Sequence, residues 1–299
     1  MTVASVPREE RRAESRERRV ERSRRSLELL LDTLIRPFDW AAALAYRLGL
    51  QGEVETSVLT IDANRLARYP GTRPLRIGFA SDFHAGATTH PRLLAKACAA
   101  LAALEPDVIL LGGDFVSVRA SYIDRLAPHL AALQAPFGKF AVMGNHDLRA
   151  NRAHVVGALE RSGIRLLTNE RQTLRAPFGD VTICGLDDPT RGDPHPETAL
   201  DGAEGTRVVL MHSPDGIESI GDRPFDVALC GHTHGGQIAT PSGRPLVVPG
   251  GHLNRKYARG QFTLDGDRPR TLLVSRGVGC STVPVRVFAA PQVHLCLIT

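Results

Sequence analysis

The stretch "DVALCGHTHGG", residues 226–236, decides the fold, because an apolar run ends there in two histidines set among glycines. The run "DVALC" predicts a buried strand, and the glycines that follow it disfavour a helix. His232 and His234 therefore stand where a buried strand leaves its sheet. Ligands of α/β sheets bind at the carboxyl ends of the strands, so this stretch predicts a sheet with a site at its edge.

Short apolar runs alternate with helical patterns over the rest of the chain from about residue 54. We predict strands at "SVLTI" (57–61), "LRIGFAS" (75–81), "DVILLGG" (107–113), "GKFAVMG" (138–144), "IRLL", "VTICGL" and "RVVLMH", and helices at 91–104, 123–133 and 152–163. After about residue 237 we expect no helix, only strands at "LVVP", "RTLLVS" and "QVHLCLI". This alternation predicts one α/β domain over residues 54–299, in which helices cover a sheet.

Charge and cysteine content limit the class of protein. The 299 residues carry a formal charge of +5, and nine arginines and five glutamates in residues 8–25 account for +4 of it. The remainder is nearly neutral, so we expect no specific nucleic-acid binding. The five cysteines show no paired spacing, which favours reduced thiols, and we expect a cytoplasmic protein.

Residues 1–50 form a predicted helical extension, first basic and then amphipathic, which Pro37 divides into two pieces. Charged residues interrupt its apolar part, which falls short of the roughly 20 apolar residues that a membrane span needs. Peripheral association with the inner face of the membrane is one interpretation, because basic and amphipathic segments suit an anionic surface. The interpretation we favour is a solvated helix supported by Arg–Glu pairs.

Five of the predicted strands end in polar side chains. The residues concerned are Asp82 and His84 in "SDFH", Asp114 in "GDFV", Asn145, His146 and Asp147 in "GNHD", His212 in "MHSP", and His232 and His234 in "GHTHGGQ". Because each group follows a buried strand, we expect the groups to meet in one crevice. Each motif alone is a weak signal, whereas all five in order are a strong one.

These residue types point to a pair of metal ions. Neutral imidazoles bind transition metals, a carboxylate can bridge two cations, and an amide oxygen adds a ligand without adding charge. We therefore expect two divalent ions, drawn from Mn, Fe, Zn and Co, with open positions for water and substrate. Two such ions lower the pKa of a bridging water and hold both the attacking and the leaving oxygen of an in-line displacement.

The ordered motifs resemble the calcineurin-like metallophosphoesterase family over roughly residues 75–296. The tail "VSRGVGCSTVPVRV" is similar to a bacterial phosphodiesterase branch that includes enzymes like the UDP-2,3-diacylglucosamine pyrophosphatases. The resemblance implies an α/β fold with a two-sheet mixed β-sandwich flanked by helices. It implies that Asp82, His84 and His234 hold one metal, that Asn145, His212 and His232 hold the other, and that Asp114 bridges them. It also implies that His146 protonates the leaving alkoxide or stabilises the phosphate, while Asp147 orients its ring.

The sequence specifies the substrate less closely than it specifies the reaction. Ser/Thr protein phosphatases of this superfamily carry an Asp-Arg pair where this chain has Ser117 and Val118, so that class is disfavoured. We expect a binuclear phosphohydrolase, acting as a phosphodiesterase or pyrophosphatase on a small or lipid-like phosphoester by attack of a metal-bridging hydroxide. Candidate phosphate contacts are Arg149, Arg255 and Lys256, although each taken singly is more typical of a surface charge.

Two other functions stay open at this point. One is a non-catalytic metal-binding scaffold, which would tolerate the loss of His146 or of a bridging ligand, and no such residue is missing here. The other is a nuclease that uses the basic N-terminal extension to bind nucleic acid, which would show salt-sensitive binding.

Overall fold

Two six-stranded mixed sheets lie face to face in the computed structural model. The structure describes residues 39–61, 73–178, 180–265 and 269–299, together with residues 26, 29, 30 and 32–34. The strands are β1 (Glu55–Ile61), β2 (Leu75–Ala80), β3 (Val108–Leu111), β4 (Lys139–Ala141), β5 (Ile164–Leu166), β6 (Glu170–Thr173), β7 (Val181–Gly185), β8 (Thr206–Leu210), β9 (Val227–Cys230), β10 (Gly260–Leu264), β11 (Arg270–Val274) and β12 (Gln292–Ile298). The helices are α1 (Trp40–Arg47), α2 (Pro91–Ala103), α3 (Ile123–Ala132), α4 (Asn145–Arg149), α5 (Arg152–Arg161), α6 (Pro196–Leu200), α7 (Gly216–Ile220) and α8 (His252–Lys256), and 3-10 turns cover Ala120–Tyr122 and His234–Gly236.

Each sheet is mostly parallel. The first has the order β1-β12-β2-β3-β4-β5, in which β2 to β5 run parallel and β12 is antiparallel to β2. The second has the order β10-β11-β9-β8-β7-β6, with four parallel strands between the antiparallel edge strands β10 and β6. Because neighbouring parallel strands end at the same edge, the residues after β2, β3 and β4 emerge together, as do those after β8 and β9.

The core follows from the two-residue period of side chains along a strand. In β3, Val108 and Leu110 face the core between the two sheets, and Ile109 and Leu111 face the core beneath α2, α3 and α5. All four side chains are fully buried, as expected for a parallel strand covered on both sides. A third cluster packs α6 and α7 on the outer face of the second sheet. The predicted mixed sandwich flanked by helices is therefore confirmed.

Two expectations for the C-terminal part are wrong. A helix, α8, does form after residue 237, because Asp215 from another loop accepts hydrogen bonds from the backbone N–H of Leu253 and Asn254. Those donors would otherwise be unsatisfied at a helix N-terminus. The run "LVVP" is not a strand, and its apolar residues Leu246 and Val247 are exposed.

Two strands lie where no strand was predicted. The edge strand β6, "ERQT", is mostly exposed and lacks the alternating apolar pattern that identifies a half-buried strand, so its position depends on pairing with β7. The edge strand β10, "GQFTL", does alternate, with Phe262 and Leu264 more buried than Gln261 and Thr263, but the alternation covers only four residues, and the strand pairs with β11.

Only part of the predicted N-terminal extension falls within the described residues. The predicted break at Pro37 lies outside them. Helix α1 does form within the predicted amphipathic part, and it buries Ala42 and Ala45. Among the described residues, none of the helices combines the length and apolar character required to cross a bilayer.

The inter-sheet core provides a direct test of this architecture. Leu110→Ala removes a fully buried side chain from between the sheets and should lower the free energy of unfolding by about 2–5 kcal/mol. Val58→Ala, on the exposed face of β1, is the matched control and should change it by less than about 0.5 kcal/mol. Denaturant titration followed by circular dichroism measures both. An equal, small effect of the two substitutions would contradict the placement of Leu110.

Candidate metal centre

The seven proposed metal ligands meet at one end of the sandwich. Asp82 and His84 follow β2, Asp114 follows β3, Asn145 begins α4 after β4, His212 follows β8, and His232 and His234 follow β9. All seven are less than a tenth exposed. The parallel strands of both sheets thus deliver polar side chains to a single buried cluster, as the sequence predicted.

Three of these residues form a first group. Nε2 of His84 lies 2.9 Å from Nε2 of His234, and the latter lies 3.6 Å from Oδ1 of Asp82. Asp82 is held in place by the Ser81 hydroxyl, which donates to Oδ2 at 2.6 Å, and by the backbone N–H of His232. The last bond runs from the second sheet to the first, so it fixes the two sheet ends against each other.

The remaining four residues form a second group. Nε2 of His212 lies 3.1 Å from both Nδ1 of His232 and Oδ1 of Asn145. Oδ2 of Asp114 lies 3.3 Å from Nε2 of His212 and 3.4 Å from Nε2 of His84 in the first group. One carboxylate oxygen therefore faces both groups, which is the position that a bridging ligand requires.

Two glycines allow this close approach. A Cβ atom at Gly144 would lie 2.2 Å from Oδ1 of Asp114, and one at Gly231 would lie 2.0 Å from Oδ2 of Asp82. Any side chain at either position would displace a carboxylate of the cluster. The glycines in "GNHD" and "GHTHGG" are thus packing requirements of the site.

Backbone conformation also turns the side chains inward. Asp82, His84, Asp114, His232 and His234 all have φ between 42° and 69°, in the left-handed region. Non-glycine residues rarely adopt this region, and such outliers concentrate at functional sites.

The protonation states suit metal binding. Burial lowers the pKa of His84 and of His232 to about 3, so both imidazoles are neutral at pH 7. Burial also lowers the pKa of His234, with the nearby His84 contributing. Burial opposes charge on His212, but the carboxylate of Asp114 holds the pKa of His212 well above its usual value.

The donor set fits a pair of cations. Imidazole nitrogens about 3 Å apart, beside carboxylate and amide oxygens, present several potential ligand atoms to the same small space. Each of the groups Asp82–His84–His234 and Asp114–His212–His232 has its ligand atoms within 4.8 Å of one another. Nitrogen and oxygen donors without sulfur are typical of sites for Mn, Fe, Zn or Co.

His146 is placed as expected, but Asp147 is not. Nδ1 of His146 lies 2.5 Å from the backbone carbonyl of Ser117, which accepts its hydrogen bond and fixes the ring. The carboxylate of Asp147 instead accepts hydrogen bonds from the backbone N–H of Val116 and Gly144. The prediction that Asp147 orients the His146 ring is therefore wrong, because main-chain donors already bind both of its oxygens.

Two residues near the centre were not among the predicted site residues, although Arg286 lies in the tail "VSRGVGCSTVPVRV". Arg286 is buried, and its guanidinium donates to Nδ1 of His234 at 3.2 Å and to the carbonyls of Arg276, Gly279 and Ala289. Asp188 follows β7 and is fully buried. Burial raises the pKa of its carboxyl group, the charge of His212 lowers that pKa, and the charge of Asp114 raises it. The position of Asp188 after a parallel strand of the second sheet is the signal that could have identified it.

The three proposed phosphate contacts differ in position. Arg149 ends α4, two residues after the "GNHD" motif, and its charge acts on His232. Arg255 and Lys256 are exposed on α8, and the Lys256 ammonium lies over the Tyr257 ring at 4.9 Å from its centroid. Of the three, the structure relates only Arg149 electrostatically to the metal-binding residues.

Metal binding should release a proton. His212 is protonated at neutral pH beside Asp114, and it must lose that proton from Nε2 before it can act as a ligand. We expect Mn²⁺ to bind more tightly as the pH rises, with release of about one proton per protein. Calorimetric titrations in buffers of different ionisation enthalpy measure this number. Enthalpies that do not depend on the buffer would contradict the assignment.

Comparison with known proteins agrees with this geometry. The calcineurin-like phosphoesterase superfamily domain matches residues 75–264. The phosphodiesterase YaeI of Escherichia coli is 34% identical over 231 residues, which cover 74% of this chain and 81% of that protein. The UDP-2,3-diacylglucosamine pyrophosphatase LpxG of Chlamydia trachomatis is 27% identical over 293 residues, which cover 80% of this chain and 88% of that protein. The chain belongs to the calcineurin-like phosphoesterase superfamily and is a metallophosphoesterase, a metal-dependent phosphoester hydrolase.

Proposed function

We propose that the chain hydrolyses a phosphodiester or pyrophosphate bond with two divalent cations held at the two groups of ligands. The observation that carries this proposal is the position of Asp114, whose Oδ2 faces His84 in one group and His212 in the other. A pair of cations, when bound, supplies a nucleophile at neutral pH and stabilises charge on the attacking and leaving oxygens.

The role proposed for His146 follows from its hydrogen bond. The Ser117 carbonyl can only accept, so Nδ1 of His146 must carry the hydrogen in that contact. The proton that the ring can exchange is therefore on Nε2. His146 is partly exposed and its ring packs edge-on against that of His84, with centroids 4.8 Å apart. A proton donor beside the metal ligands is suited to protonate a leaving alkoxide.

The substrate class rests on the relatives and on the sequence. The two relatives described above are named as a phosphodiesterase and as a UDP-2,3-diacylglucosamine pyrophosphatase. Ser117 and Val118 occupy the positions of the Asp-Arg pair of Ser/Thr protein phosphatases. We therefore propose a small or lipid-like phosphodiester or pyrophosphate as substrate. A screen of nucleotides, nucleotide sugars and phospholipid diesters with Mn²⁺ would identify it.

The bridging carboxylate gives the first test of this function. Hydrolysis of bis-p-nitrophenyl phosphate should require added Mn²⁺ and stop on chelation. Asp114→Ala should lower kcat/KM by at least about 100-fold, because both cations lose a ligand. Asp124→Ala, which removes an exposed carboxylate on α3, is the control and should leave the rate unchanged. Robust activity in the Asp114 variant would exclude the two-metal mechanism.

The leaving group gives the second test. His146→Ala should slow hydrolysis of alkyl phosphodiesters by about 10²–10⁴-fold, since a poor leaving group needs a proton donor. Hydrolysis of nitrophenyl esters should suffer much less, because nitrophenolate leaves without a proton. His154→Ala, an exposed histidine paired with Asp124, is the matched control. Equal losses on both types of ester would remove the proton-donor role from His146.

A further inference from the structure

Helix α1 exposes its large apolar residues to solvent and buries its small ones, which is the reverse of the usual arrangement. Its large apolar residues Trp40 and Leu44 and the residue at its C-terminal cap, Leu48, recur every four positions and form one stripe, which is more than half exposed. Its buried positions are the small residues Ala42 and Ala45. A helix whose bulky apolar stripe faces away from its own protein indicates a surface that something else covers.

Further exposed apolar residues lie on two other segments, and together with the stripe we call them the docking face. It consists of Trp40, Leu44, Leu48, Leu50, Leu246, Val247, Val283, Val287 and Phe288, all between 37% and 75% exposed. Backbone hydrogen bonds join its three segments. Arg286 N–H donates to the Leu50 carbonyl at 2.8 Å, Ala239 N–H donates to the Val287 carbonyl at 2.8 Å, and Leu246 N–H donates to the Ile238 carbonyl at 3.0 Å. The docking face is therefore one connected part of the fold.

Hydrogen bonds join the docking face to the turn that carries the metal-binding residues His232 and His234. Gln237, the last residue of "GHTHGGQ", is buried and donates from Nε2 to the carbonyls of Val283 and Val285 at 2.8 and 3.0 Å. Its Oε1 accepts from the backbone N–H of Ser281 at 2.8 Å. Arg286, between Val285 and Val287, contacts His234. A surface bound to the docking face would thus lie beside the metal centre.

Cationic residues predominate in the segments that build the docking face. Residues 40–50, 240–260 and 281–291, which build it and its border, contain six arginines and lysines and no aspartate or glutamate, although the chain has 32 acidic residues. Arg47, Arg244, Arg255 and Lys256 are exposed. Phe288 also contacts the basic border, since its carbonyl accepts a hydrogen bond from Arg259 at 3.0 Å. The acidic neighbours Asp215 and Glu218 contact α8 at Leu253, Asn254 and His252. An apolar surface with these exposed cations at its border complements an interface that is apolar inside and anionic outside.

We propose that the docking face binds the surface of an anionic lipid bilayer. Exposed Trp, Phe and Leu side chains enter the boundary between headgroups and acyl chains, and the surrounding cations attract anionic headgroups. The protein lies on the bilayer with its metal centre at the interface. This inference does not depend on the reaction that the centre performs.

Vesicle binding by the full chain tests the proposal. The probes are phosphatidylcholine vesicles with and without phosphatidylglycerol, and binding is measured by co-sedimentation. We expect binding only to the anionic vesicles and weakening with salt. The double variants Leu44→Ser/Leu48→Ser and Val247→Ser/Phe288→Ser should each lose roughly tenfold or more in affinity. Val58→Ser, an equally exposed apolar residue on β1, is the control and should bind like the wild type.

Separate measurements keep a folding defect apart from a binding defect. Each variant should retain its Tm and its Mn²⁺-dependent hydrolysis of bis-p-nitrophenyl phosphate, a water-soluble substrate. Failure of the wild type to bind anionic vesicles would overturn the proposal, as would equal binding by the double variants. A change of oligomeric state in the variants, with vesicle binding unchanged, would assign the docking face to self-association and overturn it as well.

Discussion

Imidazole nitrogens and carboxylate oxygens that crowd within a few ångströms of one another are the constraint on which the rest of this structure depends. Nε2 of His84 and of His234 are 2.9 Å apart, and Oδ2 of Asp114 lies within 3.4 Å of two imidazoles. Buried nitrogen and oxygen groups crowded in this way are typical of a site that surrounds a cation. Their convergence explains why two sheets must end at the same place, and why Gly144 and Gly231 must be glycine.

Such a site lowers the stability of the folded protein, and hydrophobic packing elsewhere in the fold compensates for it. Five of the seven proposed ligands adopt left-handed backbone conformations, each worth on the order of 1 kcal/mol or more for a non-glycine residue. The three hydrophobic clusters, which pack the sheets against each other and against helices on both sides, hold these residues in place. Metal binding raises the free energy of unfolding again, because a cation bound only by the folded state stabilises that state.

The parts of the molecule that have a local signal were predictable from the sequence. Buried parallel strands read as continuous apolar runs, and the polar residues directly after them were correctly expected to meet, from Asp82 to His234. The parts that depend on tertiary context were not. The exposed strand β6 has no apolar alternation, α8 depends on capping by Asp215, and the role of Asp147 depends on which main-chain donors reach it. Arg286 lies 52 residues after His234, so no local pattern could relate the two.

The central claim is that each group of ligands holds its own cation. Anomalous diffraction at the manganese edge, from crystals grown with Mn²⁺, tests it most directly. The account predicts two peaks about 3.5–4 Å apart, one among Asp82, His84 and His234 and the other among Asn145, His212 and His232, with Asp114 between them. A single peak, or two peaks away from Asp114, would contradict it.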